Sequence, residues 1–384
     1  MTHTLKRDQL TWLMYFMLAG LAYQQGILGP LMPFLRESLD MTYTQGGVLV
    51  TAIALGMILT GLTSERVAQR VGRRAMLWGG AVGFVVGSWA LAFSSTFETA
   101  FAAVLFNSVA GAMTMATVNA TLSDHHGPLR TSALAEANVA AALSSSASPW
   151  LIGLFQSSGL GWQWSLLVTL GIIAAIAAVY GRVPIPDMPP QATAPGAGAR
   201  RLPIGFWVYW LVAIGVVAFE WCFVVWGADY LAAVVGLEPP LASALMGVYL
   251  GAMVIGRFVG SWLTRRWPPA IVLPAALVLA LLGFPLFWTA LTPSLAVTGL
   301  FIAGLGVANL FPVTIGIAVG QAAGLTNTAT ARVSLAVGLA IFAAPLVLGN
   351  LADRFSLQTA FAIVPVLGVA TLGLWGFAYG RGWR

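Results

Sequence analysis

Twelve stretches of mainly apolar residues follow one another along this chain. Each is close to the length a helix needs to cross a bilayer, about 20 residues. They run at about 10–35, 43–65, 75–93, 97–122, 131–156, 162–181, 205–232, 240–264, 269–290, 294–320, 328–351 and 358–379. Inside hydrocarbon every backbone N–H and C=O must find a partner within the protein, so a continuous apolar run of this length predicts a helix. An outer-membrane barrel is excluded, because its strands alternate apolar and polar residues. Composition excludes the soluble classes as well: 59% of the 384 residues are hydrophobic and 8% are charged, against about 25% charged in soluble chains. The sequence predicts an all-α membrane protein of twelve transmembrane helices.

The net charge of +6 is not a nucleic-acid signature, because the basic residues form no cluster on a soluble face. Their spacing reports topology instead. With the N-terminus in the cytoplasm, the inner loops and ends hold Lys6, Arg7, Arg66, Arg70, Arg73, Arg74, Arg130, Arg182, Arg200, Arg201, Arg265, Arg266, Arg381 and Arg384, and the outer loops hold Arg36 and Arg354. By the positive-inside rule both termini are expected in the cytoplasm. Cys222 is the lone cysteine and excludes an intrachain disulfide. His3, His125 and His126 have no ligand-like companions, so no metal or other cofactor is expected. No cleavable signal peptide is evident: the first apolar stretch is too long and no small-residue cleavage site follows it. The short loops predict a multi-pass protein of a bacterial cytoplasmic membrane. It is expected to act as a monomer, with lipid around it and no nucleic-acid partner.

Residues 182–203, RVPIPDMPPQATAPGAGARRLP, cannot span and read as a loose cytoplasmic linker. They divide the chain into six-helix bundles at 1–181 and 204–384. The bundles read as repeats. GMILTGLTSERVAQR at 56–70 aligns with GAMVIGRFVGSWLTR at 251–265, pairing Gly56 with Gly251, Gly61 with Gly256 and Arg70 with Arg265. SPWLIGLF in the fifth stretch aligns with APLVLGNL in the eleventh, pairing Pro149 with Pro345 and Gly153 with Gly349. Parallel six-helix repeats characterise one major transporter architecture.

Between the second and third stretches stands ERVAQRVGRR, at 65–74. It resembles the signature of the major facilitator superfamily, G-x-L-x-D-R-x-G-R-[RK], at Arg70, Gly72, Arg73 and Arg74, with Glu65 in place of the usual Gly and Gln69 in place of the usual Asp. The resemblance covers the full length of the chain. GLGVANLFPVTIGIAVG in the tenth stretch and QQGILGPLMPFLRESLDMTYTQGG in the first look like the fucose-permease-like branch. Pro149 and Gly153 echo the antiporter motif of drug exporters, but Asn107 stands where those exporters usually carry Arg.

An ionisable residue at mid-membrane costs about 2.5–3.5 kcal/mol even on lenient scales and points to function. Glu220 lies about fifteen residues into the seventh stretch, near the bilayer centre at about 1.5 Å per residue. Desolvation favours the neutral form of a carboxyl group, which suits it to carry a proton. Glu220 is therefore the expected proton-coupling or substrate-cation residue, with a hydrogen-bonded structural carboxyl as the alternative. The repeat offset pairs it with Gln24, and both are expected to face the interface between bundles. Tyr23, Gln24, Asn107, Asn119, Glu220, Trp221 and Asn309 form the expected substrate site. Each amide could instead tie helices together.

A second set reads as gates. Glu136 and Arg332 are repeat mates of opposite charge. The resemblance implies that span 5 faces span 8 and span 2 faces span 11. Glu136 could then meet Arg265 or Arg257, and Glu65 could meet Arg332, with Arg70 nearby, closing the cytoplasmic side when the protein opens outward. The alternative is a set of solvated helix-end charges, worth about 0–1 kcal/mol. Arg257 could also bind an anionic substrate.

No phosphate loop, nucleophile–base set or metal spacing supports enzyme chemistry. The sequence predicts secondary transport of a small organic solute by alternating access. Proton-coupled symport of a sugar-like or other polar metabolite is favoured. Proton-linked export of amphipathic compounds or drugs and a non-transporting membrane sensor are the alternatives.

Overall fold

The computed structural model describes residues 5–187, 202–322 and 325–383, the side chains of Thr326 and Asn327 aside. Most of the expected linker, with Arg200 and Arg201, lies outside them, as do His3 and Arg384. No strand occurs among the described residues. Nine helical stretches among them are long and apolar enough to cross a membrane; two of these hold a pair of spans each, and two shorter helices ahead of them form span 1, which makes twelve.

Tyr43–Ala92 holds spans 2 and 3, divided at Gly72, whose φ of 79° belongs to the left-handed region that glycine enters without steric cost. Phe97–Ser157 holds span 4, Phe97–His126, and span 5, Arg130–Ser157, on either side of a single 3-10 turn. Span 1 consists of two shorter pieces, Gln9–Gln25 and Leu28–Ser38. Pro30 has no N–H to offer the carbonyl of Gly26, and the helix breaks there. Span 10 is broken for the same reason, between Pro293–Val307 and Leu310–Gly320, with Pro312 four residues beyond Ala308. The remaining spans are 6 (Gln163–Tyr180), 7 (Ile204–Ala233), 8 (Pro239–Leu263), 9 (Pro269–Trp288), 11 (Thr326–Arg354) and 12 (Leu357–Ala360 and Ile363–Gly380). Every stretch expected from the sequence is helical, spans 1, 10 and 12 as two pieces each, with ends shifted by a few residues.

The two sets of six spans pack differently. In the first set small residues admit close approach: a Cβ on Gly87 of span 3 would stand 2.7 Å from the Cβ of Asn107 of span 4. In the second, buried aromatics fill the space. Phe223 stacks on Tyr249 at 5.5 Å and meets Phe284 and Phe287 at 6.0 Å and 5.4 Å.

The ends of the bundle also differ. We call the end that carries Gln9 and Gly380 the terminal end and the other the far end. At the far end the two sets touch. Asp353 of span 11 accepts from the Tyr43 and Thr44 N–H groups at 2.9 Å and 2.7 Å, completing the Thr42 cap of span 2. Ser243 of span 8 donates to the Pro30 carbonyl at 2.6 Å. Arg36 of span 1 pairs with Asp229 of span 7 at 2.7 Å. At the terminal end charged residues bond within their own set: Arg7 with Glu136 at 2.7 Å and Arg73 with Asp124 at 2.6 Å. His125 meets Asp8 at 2.8 Å, and His126 meets Thr11 at 2.9 Å. Partial burial raises the Asp8 carboxyl, but donors from Thr11 and His125 outweigh it and hold Asp8 below the usual carboxylate range.

Candidate functional site

The break in span 1 places the site. Gly26 lies against span 5, where a Cβ would stand 2.5 Å from the Ser145 Oγ. Beyond this contact opens a cleft of about 240 Å³ between spans 1 and 5 on one side and spans 7 and 8 on the other. Gln25, Asn138, Ser145 and Ser146 line the first side, and Glu220, Trp221 and Arg257 line the second. Glu220 makes no hydrogen bond or ion pair among the described residues. Its charge is felt by Arg257 and by Tyr249. The Tyr249 hydroxyl is buried without a partner among the described residues. Arg257 also borders a second chamber toward the terminal end, walled by Val139, Phe258, Val313 and Asn309.

The expected site residues are dispersed over this geometry. Glu220 and Trp221 share the cleft. Gln24 does not: it is buried, and its Oε1 accepts from Ser88 of span 3. Gln25 occupies the place across from Glu220 that the repeat offset assigned to Gln24. Asn107 donates to the Phe84 carbonyl at 2.7 Å and to Ser88 at 3.1 Å. Gln24, Gln25 and Asn107 line a separate, mainly apolar cavity among spans 1 to 4. Asn309 donates to the Gly256 carbonyl at 2.7 Å and reaches only the second chamber. Asn119 is half-buried on span 4 and lines none of these cavities.

Tyr23 points away from the cleft and donates to the Ser165 carbonyl of span 6 at 2.9 Å. Tyr23→Phe is expected to lower stability by about 1 kcal/mol, the net worth of one hydrogen bond. Solute flux should be unchanged, as thermal unfolding and vesicle uptake measured together would check.

The expected gate partners are apart in this conformation. Glu136 is held by Arg7 and by the Tyr15 hydroxyl, at 3.0 Å, rather than by Arg265 or Arg257. Its partner comes from the start of span 1, which the repeat offset does not relate to it. Glu65 accepts from Gln69 at 3.4 Å, and Arg70, Arg265 and Arg332 are exposed.

Sequence reasoning passed over Gln25, Asn138, Ser145, Ser146 and the Arg36–Asp229 pair. A signal was present in span 5. Positions 138, 142, 145 and 146 share one helical face, but small serines in an alanine-rich helix read as packing residues.

The sequence matches the Major Facilitator Superfamily over residues 14–322. The chain belongs to that superfamily. An uncharacterized transporter of Sinorhizobium fredii, y4wD, is 27% identical over 326 residues, covering 83% of this chain and 84% of that protein. An uncharacterized MFS-type transporter of Yersinia pestis is 24% identical over 377 residues, 94% of this chain and 93% of that one. Among solved structures, a nucleoside transporter, NupG, superposes with a TM-score of 0.79 at 13% identity, over 97% of this chain and all of that one (100%). A bacterial homolog of the human lysosomal transporter Spinster, inward-facing and occupied, gives 0.77 at 14% identity, over 97% and 95%. The E. coli fucose:proton symporter gives 0.63 at 15% identity, over 96% and 98%. These likenesses establish the major facilitator fold.

Within that fold the signature at 65–74 has a plain structural meaning. Gly72 supplies the left-handed turn between spans 2 and 3. Arg73 is buried and pairs with Asp124 of span 4. Arg74 donates to the Val183 and Gly181 carbonyls just past span 6, at 2.8 Å and 2.5 Å. Among the departures, Glu65 and Gln69 fall on the exposed last turns of span 2, where they bond each other.

Proposed function

We propose that the protein is a proton-coupled secondary transporter of a small organic solute, working by alternating access between two six-helix bundles, 1–181 and 204–384. The observation that carries this reading is Glu220, an acid without a hydrogen-bonding partner among the described residues, in a cleft between the two sets of spans at mid-membrane depth. Substrate sites in this architecture lie near the midplane at the repeat interface. The terminal end, with its surplus of basic residues, faces the cytoplasm. The conformation described here is then the inward-facing one, closed at the far end by the Arg36–Asp229 pair. The polar lining of the cleft, with Gln25, Asn138, Ser145 and Ser146, favours a polar metabolite over a purely apolar compound. The bacterial relatives support a bacterial cytoplasmic membrane. When the bundles rock to the outward-facing state, Glu136 exchanges Arg7 for Arg265, and Glu65 meets Arg332.

The test is a pair of transport modes. In proteoliposomes with an imposed pH gradient, Glu220→Gln is expected to abolish gradient-driven accumulation while solute exchange at equal pH persists. Accumulation that survives the substitution with its proton dependence intact would make Glu220 structural and sink the coupling role.

A further inference from the structure

Arg257 is the observation left over. It sits about two turns inside the end of span 8, lining both the Glu220 cleft and the chamber leading to the terminal end. It makes no hydrogen bond or ion pair among the described residues. Its positive charge acts on Glu220 across the same cleft. A guanidinium stays charged at any physiological pH and matches a carboxylate with two parallel donors. The cleft therefore holds one permanent positive charge and one negative charge that a proton can remove. No other acidic or basic side chain lines the cleft among the described residues. Span 8 adds the buried Tyr249 hydroxyl, span 7 adds the buried Cys222, and spans 1 and 5 present only Gln25, Asn138, Ser145 and Ser146.

Charge balance then selects the solute. Occlusion moves the cleft into a low-dielectric interior, where an uncompensated charge is costly. Empty, the cleft is neutral, with Arg257 positive and Glu220 negative. A neutral sugar with a proton on Glu220 leaves it at plus one. An organic cation without a proton does the same. A monocarboxylate alone leaves it at minus one. A monocarboxylate on Arg257 with a proton on Glu220 returns it to zero. Building on the proton-linked reading above, we propose that the transported solute is a monocarboxylate, bound by Arg257 and carried electroneutrally with the proton that Glu220 takes up when the solute displaces it as counter-ion. Coupling is strict because either passenger alone leaves a net charge that resists occlusion.

The experiment uses the full chain in liposomes, with radiolabelled lactate and 4-hydroxybenzoate against glucose and xylose, and protein-free liposomes as the baseline. An inside-alkaline gradient should drive carboxylate accumulation above the baseline. An imposed membrane potential should leave its initial rate unchanged. Arg257→Gln should lower the rate at least 10-fold, and Arg257→Lys should restore part of it. If Arg257→Gln is unstable in detergent, thermal stabilisation of the wild type decides the matter: lactate should stabilise it and glucose should not, and the reverse overturns the carboxylate assignment. Proton-driven uptake of the sugars, with Arg257→Gln keeping more than half the wild-type rate, overturns the carboxylate assignment and leaves proton coupling standing. Flux of no probe, or flux indifferent to the pH gradient, overturns both readings.

Discussion

Asp229→Ala is expected to cost about 3–5 kcal/mol and to open the far end of the bundle, because it strands Arg36 beside a position closed to water. The Asp229 carboxylate is buried, the Arg36 guanidinium is mostly so, and their single bond of 2.7 Å joins span 1 to span 7. The Arg36 Nε and the second Asp229 oxygen have no partners among the described residues. The guanidinium also lies 3.4 Å from the centre of the Tyr43 ring on span 2, beside the Tyr43 and Thr44 N–H groups that Asp353 of span 11 caps. The pair thus borders contacts among four spans. Part of the loss appears as lower thermal stability and part as a shift toward the outward-facing state, tenfold for each 1.4 kcal/mol. A cysteine replacing Leu346, which packs against Gly47, reports the second part. In a chain whose native Cys222 is buried, its labelling by an impermeant maleimide should rise several-fold in Asp229→Ala. Arg36→Met with Asp229→Leu removes both charges and should recover most of the stability, since apolar replacement of a whole buried pair is often neutral or better. Unchanged melting and unchanged labelling in Asp229→Ala would make the pair a bystander.

That pair also marks how far the sequence could be read. The twelve spans were legible because a bilayer makes hydrophobic length an almost direct readout of helix position. Glu220 is legible as the acid nearest the middle of an apolar run, whereas Asp229 lies toward the end of the same run and draws no notice. Arg36 is not legible, because the first apolar stretch ends at residue 35 and leaves it in a loop. The helix in fact runs to Ser38 and carries Arg36 into contact with Asp229. The repeat offset points to Gln24, but an offset cannot see a helix break. One residue turns a side chain by about 100°, so a local break beside Gly26 is enough to hand the cleft to the neighbouring amide. For Glu136 the sequence points to partners in the opposite bundle, Arg265 or Arg257, and the structure shows neither. Instead the start of span 1 supplies Arg7. Such contacts depend on which end of the bundle is closed, and no periodicity encodes that.

Glycines at the far end give the sharpest test of the closed state. A Cβ on Gly29 would stand 1.7 Å from the Val224 carbonyl oxygen, against about 3.3 Å for a close C···O approach. Span 1 and span 7 would have to part by roughly 1.5 Å in Gly29→Ala. The obstacle is backbone and cannot rotate away. Overpacking of this kind costs about 1–3 kcal/mol, and here the cost falls on the far-end-closed state, because the contact joins the two sets of spans. Gly29→Ala should therefore raise far-end labelling by about 5- to 150-fold and slow the return to the inward-facing state. The aligned repeat glycines supply the controls. A Cβ on Gly256 would stand 2.7 Å from the Leu305 carbonyl within the second set, so Gly256→Ala should lower thermal stability without shifting the labelling. Gly251 has nothing within 4 Å, and Gly251→Ala should be neutral or gain up to about 1 kcal/mol from the better helix former. Gly153 and Gly349, in contrast, both press on the opposite set, against the Pro240 and Tyr43 carbonyls at 2.8 Å and 2.4 Å. Alanine at either should act as at Gly29. If all of these alanine variants lower stability equally and none moves the labelling, the far-end contacts are ordinary packing and do not set which way the transporter faces.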